Sequence, residues 1–145
     1  MGNPEPRKAV IDRKSKETEI IAELNIDGKG ETHIKTPIGL LDHMLELFSF
    51  HGFFDLTLEV KKADTNIDIH HTNEDIGIVL GKAFKKALGD DKLGIKRFGS
   101  ACAPMESTLG HSVVDISGRG YSYFFVDGIR SADEEADSGY TLIDL

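Results

Sequence analysis

Hydrophobic and polar positions change period several times along this chain, and each change marks an element. Ile20, Ala22, Leu24 and Ile26 alternate with Glu19, Ile21, Glu23 and Asn25, which are mostly polar. A period of two predicts a half-buried strand. Asp27-Gly28-Lys29-Gly30 reads as a turn, with residues 32–36 as the strand returning from it. Pro37-Ile38-Gly39 then interrupts the pattern. Over residues 40–50 the apolar spacing lengthens to three or four, and Leu40, Leu41, Met44, Leu45, Leu47 and Phe48 form the stripe of a first helix. Residues 55–60 carry Leu56, Leu58 and Val60 on one face of a strand, and 64–68 are a polar connection. A second helix is expected from about Thr72 to Leu88, facing the core with Ile76, Val79, Leu80, Ala83, Phe84 and Ala87 and ended by Gly89-Asp90-Asp91. Three strand-like pieces follow at 97–103, 111–117 and 121–126. Residues 1–6 read as a loose terminus. Residues 129–145 read as an acidic tail, frayed or non-native.

Composition narrows the class. The chain has 145 residues, 39% apolar and 29% charged, which suits a globular domain able to bury a core without staples. Its formal charge of -8 argues against a broad basic footprint for nucleic acid. No apolar run approaches the roughly 20 residues needed to span a bilayer. With a single cysteine, Cys102, no intrachain disulfide can form. The polar start lacks a signal-peptide apolar stretch. A cytoplasmic location is the expectation, without nucleic-acid or membrane partners.

The chain also echoes itself. Leu24-Asn25-Ile26-Asp27-Gly28-Lys29-Gly30 lines up with Val114-Asp115-Ile116-Ser117-Gly118-Arg119-Gly120 at a constant offset of 90 residues. Two unrelated hairpins with shared turn chemistry would produce such a match; so would a duplicated unit. On the second reading the first unit spans 7–92, and 93–128 hold the opening strands of another. A complete second copy would need roughly 40 residues beyond Leu145.

Chemistry concentrates around the two helix starts. Four of the six histidines, His43, His51, His70 and His71, fall within one short stretch. In Asp68-Ile69-His70-His71-Thr72-Asn73-Glu74-Asp75, Glu74 stands four residues from His70 and three from His71, so either pair can meet on a helix. Imidazole with carboxylate suits Zn, Mn, Fe or Ni. Adjacent histidines diverge by about 100° on a helix, so one histidine for each of two ions, completed by another subunit, fits better than a single chelated ion. Asp64 and Asp68 could ligate or accept from the distal ring nitrogens. The same string also suits a plain helix start, with Thr72 as N-cap and Asn73, Glu74 and Asp75 in the first turn. His43, on a largely apolar helix, could equally be a satisfied core histidine. Arg119, between Gly118 and Gly120, offers a guanidinium and exposed amides to a phosphate or carboxylate, or is a solvated hairpin tip.

Taken together these strings resemble the imidazoleglycerol-phosphate dehydratases. The resemblance rests on Leu41-Asp42-His43-Met44-Leu45, His51, residues 68–77 and Leu80-Gly81. Glu17-Thr18, Arg97-Phe98-Gly99, Pro104-Met105 and residues 115–119 fall in the family's order, and the whole covers about residues 7–126. It implies an α+β fold, a ββαβα unit with two helices on a four-stranded sheet, duplicated in the family. It implies a lyase of histidine biosynthesis that dehydrates imidazoleglycerol phosphate to imidazoleacetol phosphate. Two Mn²⁺ ions per complete site and self-association into a shell of 24 subunits are further implications. By the same resemblance His43, His70, His71 and Glu74 are metal ligands, and Glu17 and Glu74 are catalytic, Glu17 as acid/base. Glu17, His43, His51, His70, His71, Glu74, Arg97 and Arg119 contact substrate, the two arginines at its phosphate.

The sequence also departs from that pattern. No second HHxxE string follows Arg119, and His111, the only later histidine, is not at a ligand position of the family. A truncated, non-catalytic metal-binding or assembly form is therefore the alternative expectation.

Overall fold

The computed structural model describes residues 6–90, 94–106 and 108–125. They fall into two compact units, divided at residues 90 and 91. The first contains β1 (Lys8–Lys14), β2 (Glu19–Asn25), β3 (Thr32–Lys35), α1 (Gly39–Gly52), β4 (Asp55–Lys62) and α2 (His70–Leu88). Its four strands lie in the order β1-β2-β4-β3. Two helices on one four-stranded sheet make this an α+β fold.

The core follows from the alternation. Ile20, Ala22 and Leu24 of β2 pair with Val60, Leu58 and Leu56 of β4, and all but Val60 are buried. On α2, Ile76, Val79, Ala83 and Ala87 recur at helical spacing and are buried where the helix rests on β1 and β2. Phe48, Phe54 and Phe84 join the two helices through ring contacts, with centroids 5.0 to 5.9 Å apart.

The structure departs from the expected elements in three places. First, β1 is a strand that the pattern did not single out, because Ala9, Val10 and Ile11 are all apolar and Arg13 faces inward beyond them; the sheet uses it as an edge. Second, β3 does not return in a hairpin with β2. It runs parallel to β4, which lies between them. The physical reason is burial: Leu56 and Leu58 make β4 the more apolar strand, while β3 has four mostly exposed residues and suits an edge. The connection is pinned by Asp55, whose carboxylate accepts the Lys29 N–H at 2.7 Å and the Glu31 N–H at 3.2 Å. Third, the expected stripe of α1 is mostly solvent-facing. Leu45 is buried and Leu41 half-buried, but Leu40, Met44, Leu47 and Phe48 are exposed. Against the sheet this helix rests on β3 and β4, so a narrow line of its surface meets the strands.

Helix α1 ends with Phe53 in the left-handed region at φ 57°, where its N–H donates to Phe50 O and that of Phe54 to Ser49 O. Phe53 is exposed, so its side chain does little to offset the backbone strain. Phe53→Gly is expected to raise stability by about 0.5–1 kcal/mol. A urea midpoint unchanged or lowered would show that the ring contributes packing after all.

Asp27, just after β2, accepts from Arg7 Nη2 at 2.6 Å, Arg7 Nε at 3.0 Å and the Arg7 backbone N–H at 2.8 Å. These bonds, the side-chain ones first, hold its carboxyl down to about 2. A lowered folded-state value stabilises the fold above the ordinary aspartate range, and this contribution is lost as pH falls from about 4 to about 2. The pair is more than one-third exposed, so solvent screening limits it to roughly 0.5–1 kcal/mol. Arg7→Ala should therefore be less stable than the parent at pH 6, with the gap closing toward pH 2 in urea titrations. A gap independent of pH would rule out the ion pair as its source.

The second unit is an antiparallel hairpin of β5 (Phe98–Met105) and β6 (Thr108–Asp115), exposed throughout. The strand expected at 121–126 is not formed at 121–125, where among the described residues no neighbour pairs with it; 126 and the tail at 129–145 lie outside the described residues. Lys8 pairs with Asn25 and Lys14 with Glu19; Phe98 pairs with Asp115 and Pro104 with Leu109. The Ile26 N–H donates to Arg7 O at 3.1 Å and the Ile116 N–H to Arg97 O at 2.8 Å. Every one of these positions differs by 90, so the internal echo is repeated as strand register. Among the described residues, no helix is long and apolar enough to cross a membrane.

Candidate functional site

The first turns of α2 and the chain leading into them hold most of the chemistry. Helix α2 starts at His70, two residues before the expected N-cap. Thr72 is inside the helix and fully buried, its hydroxyl without a hydrogen-bond partner, so the capping role is corrected. The N-cap position falls to Ile69, which has no side-chain acceptor; Asp68, one residue earlier, accepts the His70 N–H on Oδ1 at 2.9 Å. One oxygen of Asp68 is thereby engaged by the backbone, and its charge adds to the field at His71. Glu74 and Asp75 consequently lie beyond the first helical residues and are not explained as dipole-stabilising charges.

His70 and His71 diverge, with ring centroids 6.2 Å apart and planes at 65°. His70 Nε2 lies 4.0 Å from Glu74 Oε2 across one helical turn. His71 turns the other way, placing Nδ1 3.0 Å from Asp64 Oδ2. The hydrogen bond to Asp64 raises the His71 pKa above the ordinary imidazole value despite some desolvation, and the charge of Glu17 adds to the rise. Glu17 thus acts on His71 through its charge, although the two are far apart in sequence. Asp64 Oδ1, buried and without a hydrogen-bond partner, remains to accept more.

This geometry fits ligation by His71. A carboxylate on Nδ1 fixes the proton there and leaves Nε2 with its lone pair outward, the usual support for a metal-binding histidine. His43 lies on α1, exposed rather than satisfied in the core, and His51 is exposed near the end of the same helix against Phe50. Among the described residues, no three His, Cys, Asp or Glu side chains converge closely enough to hold one ion together. The divergence of adjacent positions on a helix accounts for this within the His70–Glu74 string.

Arg97 and Arg119 belong to the second unit. Arg97 Nη2 is 3.6 Å from Asp115 Oδ1, both groups more than half exposed. Arg119 sits in a bend after Gly118, whose φ is 88°, and its own N–H donates to Ser117 Oγ at 3.4 Å.

The pattern did not single out a second cluster on the same face of α2. Asp75 is 6% exposed. Arg13 donates to its Oδ1 from Nε at 2.8 Å and from Nη2 at 2.6 Å. Thr18 Oγ1 and Ser15 Oγ approach Oδ2. Desolvation alone would raise this carboxyl, but the bonds from Arg13 and Thr18 outweigh it and hold it below its ordinary value. The available signal was the inward phase of Arg13 on β1, because an inward charge requires a partner.

The family model described as imidazoleglycerol-phosphate dehydratase matches residues 36–138. A dehydratase of that name from Pelobacter propionicus is 58% identical over 121 residues, 83% of this chain and 61% of the relative. The crystal structure of the Staphylococcus aureus dehydratase covers 84% of this chain and 67% of its own, at 33% identity and a TM-score of 0.66. The Pyrococcus furiosus enzyme in complex with (S)-C348 covers 92% of this chain and 67% of its own, at 36% identity and a TM-score of 0.65. This chain spans about three-fifths of the length of the curated relatives it matches. A family model over well over half of the chain, joined to the shared fold, decides its membership: the chain belongs to the imidazoleglycerol-phosphate dehydratase family.

Proposed function

We propose that this chain acts in the Mn²⁺-dependent dehydration of imidazoleglycerol phosphate to imidazoleacetol phosphate, a lyase step of histidine biosynthesis. The observation that carries the reading is His71 held by Asp64 beside the charge of Glu17, in a chain of this family. The reaction breaks one C–H and one C–O bond, releases water, and leaves an enol that becomes the ketone. Its difficulty is that the proton and the hydroxyl are both reluctant to leave at neutral pH.

Each residue then has a task. Asp64 holds His71 with Nε2 outward. His70 and Glu74, one turn apart, offer a separate imidazole and carboxylate. His70, His71, Glu74 and His43 would hold Mn²⁺, with the further ligands supplied through self-association as in a 24-subunit shell. Mn²⁺, when bound, supplies the Lewis acidity that eases electron release from the substrate's ring. Glu17 takes the carbon-bound proton and passes it to the departing hydroxyl, which leaves as water, Glu74 assists, and His51 contacts the substrate. Arg97 and Arg119 bind its phosphate, with the amides around Gly118 as added donors.

A second reading is a metal-binding or assembly form without turnover, in which His71, held by Asp64, still offers a ligand. A dehydratase assay on the 145-residue chain separates the two. Turnover with Mn²⁺ that chelator abolishes supports the enzyme. Mn²⁺-dependent assembly by folded protein without turnover supports the second reading.

A further inference from the structure

The three side chains around the Asp75 carboxylate come from one hairpin. Asp75 lies on α2, whereas Arg13, Ser15 and Thr18 all belong to the β1–β2 hairpin. Arg13 occupies Oδ1, which leaves Oδ2 to the two hydroxyls. Both hydroxyls border Glu17. Ser15 Oγ also accepts the Glu17 N–H at 3.2 Å and the Thr18 N–H at 3.0 Å, and the Ser15 N–H donates to Thr18 O at 2.9 Å. The turn is thus closed upon itself and fastened at both ends to one carboxylate. On the helix, Asp75 follows His71 by four residues, so the two share a face. A turn held by Asp75 must therefore lie over the face that carries His71.

We propose that Asp75 is a positioning residue: through Thr18 and Ser15 it fixes the turn that holds Glu17 beside His71. Its role in the reaction rests on the reading of Glu17 as the proton-transfer group. Asp75 itself touches no proposed ligand or reacting atom. Thr18 is fully buried, so its hydroxyl has no water to turn to and the bond to Asp75 is its main commitment.

The test uses the full labelled chain and nuclear magnetic resonance, and requires neither metal nor turnover. Thr18→Val keeps the shape and removes the hydroxyl; Thr18→Ser keeps the hydroxyl; Ser15→Ala repeats the loss at a half-buried position should Thr18→Val fold poorly. Amide exchange at Glu17 and Thr18 should speed up about tenfold in Thr18→Val, while Ile20, Ala22 and Leu24 in β2 change less than about twofold. The His71 ring signal should move in the same direction as in Glu17→Gln and by at least about half as much. Thr18→Ser should restore both readouts. A His71 signal that stays at its parental position in Thr18→Val, even with faster exchange, would overturn the proposal, because the clamp would then stiffen the turn without placing Glu17. Unchanged exchange would overturn it too. His71 signals in the parent that ignore added Mn²⁺ would count against the metal reading alone.

Discussion

His71→Ala is expected to lower Mn²⁺ affinity by about a hundredfold or more while leaving the fold intact. The imidazole is half-buried, and the side-chain partner found for it is Asp64, so its removal opens no core cavity. What it removes is the ring whose Nδ1 is engaged by Asp64, which leaves Nε2 as the nitrogen available to a metal. Asp64→Ala, which leaves the ring but frees its orientation, should cost about tenfold. His33→Ala, on the exposed edge strand β3, should change nothing and serves as the control. Calorimetric titration with Mn²⁺ measures all three. An unaltered affinity and stoichiometry in His71→Ala would take His71 out of the ligand set, and with it the proposed role of Asp64.

Gly28→Ala should be the most destabilising single methyl in the described fold, by about 3 kcal/mol. A Cβ there would fall on the Asp55 backbone nitrogen and within 2.5 Å of that residue's Cγ and Oδ1. The obstacle is backbone at the start of β4, so no side-chain rotation relieves it. Moving either segment breaks the bonds from Lys29, Glu31 and Asn25 to the Asp55 carboxylate. It also strains the Leu56 N–H to Glu31 O bond at 2.9 Å, next to the first parallel pair of β3 and β4. Urea denaturation of Gly28→Ala against the parent reads the loss directly. A difference below about 1 kcal/mol would mean that the turn has a second conformation able to take the methyl.

Much of this molecule was legible along the chain because its burial is one-sided. β2 and β4 alternate cleanly, and the core positions of α2 recur at helical spacing, so the sheet and helix faces could be read residue by residue. The HHxxE string and the echo at 90 residues were equally local, and the echo reappears as the common register of β1–β2 and β5–β6. Where the pattern misled, a contact that periodicity does not carry decided. Thr72 has the chemistry of a cap, yet the chain enters α2 two residues earlier, with Ile69 at the N-cap position and the Asp68 carboxylate accepting the His70 N–H.

The sequence by itself determined the family, the helix pair, the apolar face of the sheet and the clustering of histidines with carboxylates, since each depends on residue identity and short-range spacing. Only the tertiary structure decided that β4 separates β2 from β3, that His71 turns to Asp64 and away from His70, and that Arg13, Ser15 and Thr18 close on Asp75. Apart from His71 and Asp64, which are seven residues apart, these contacts join residues distant in sequence. They form because a buried carboxylate or an inward arginine must find a partner, and which partner it finds depends on the order in which the strands stack.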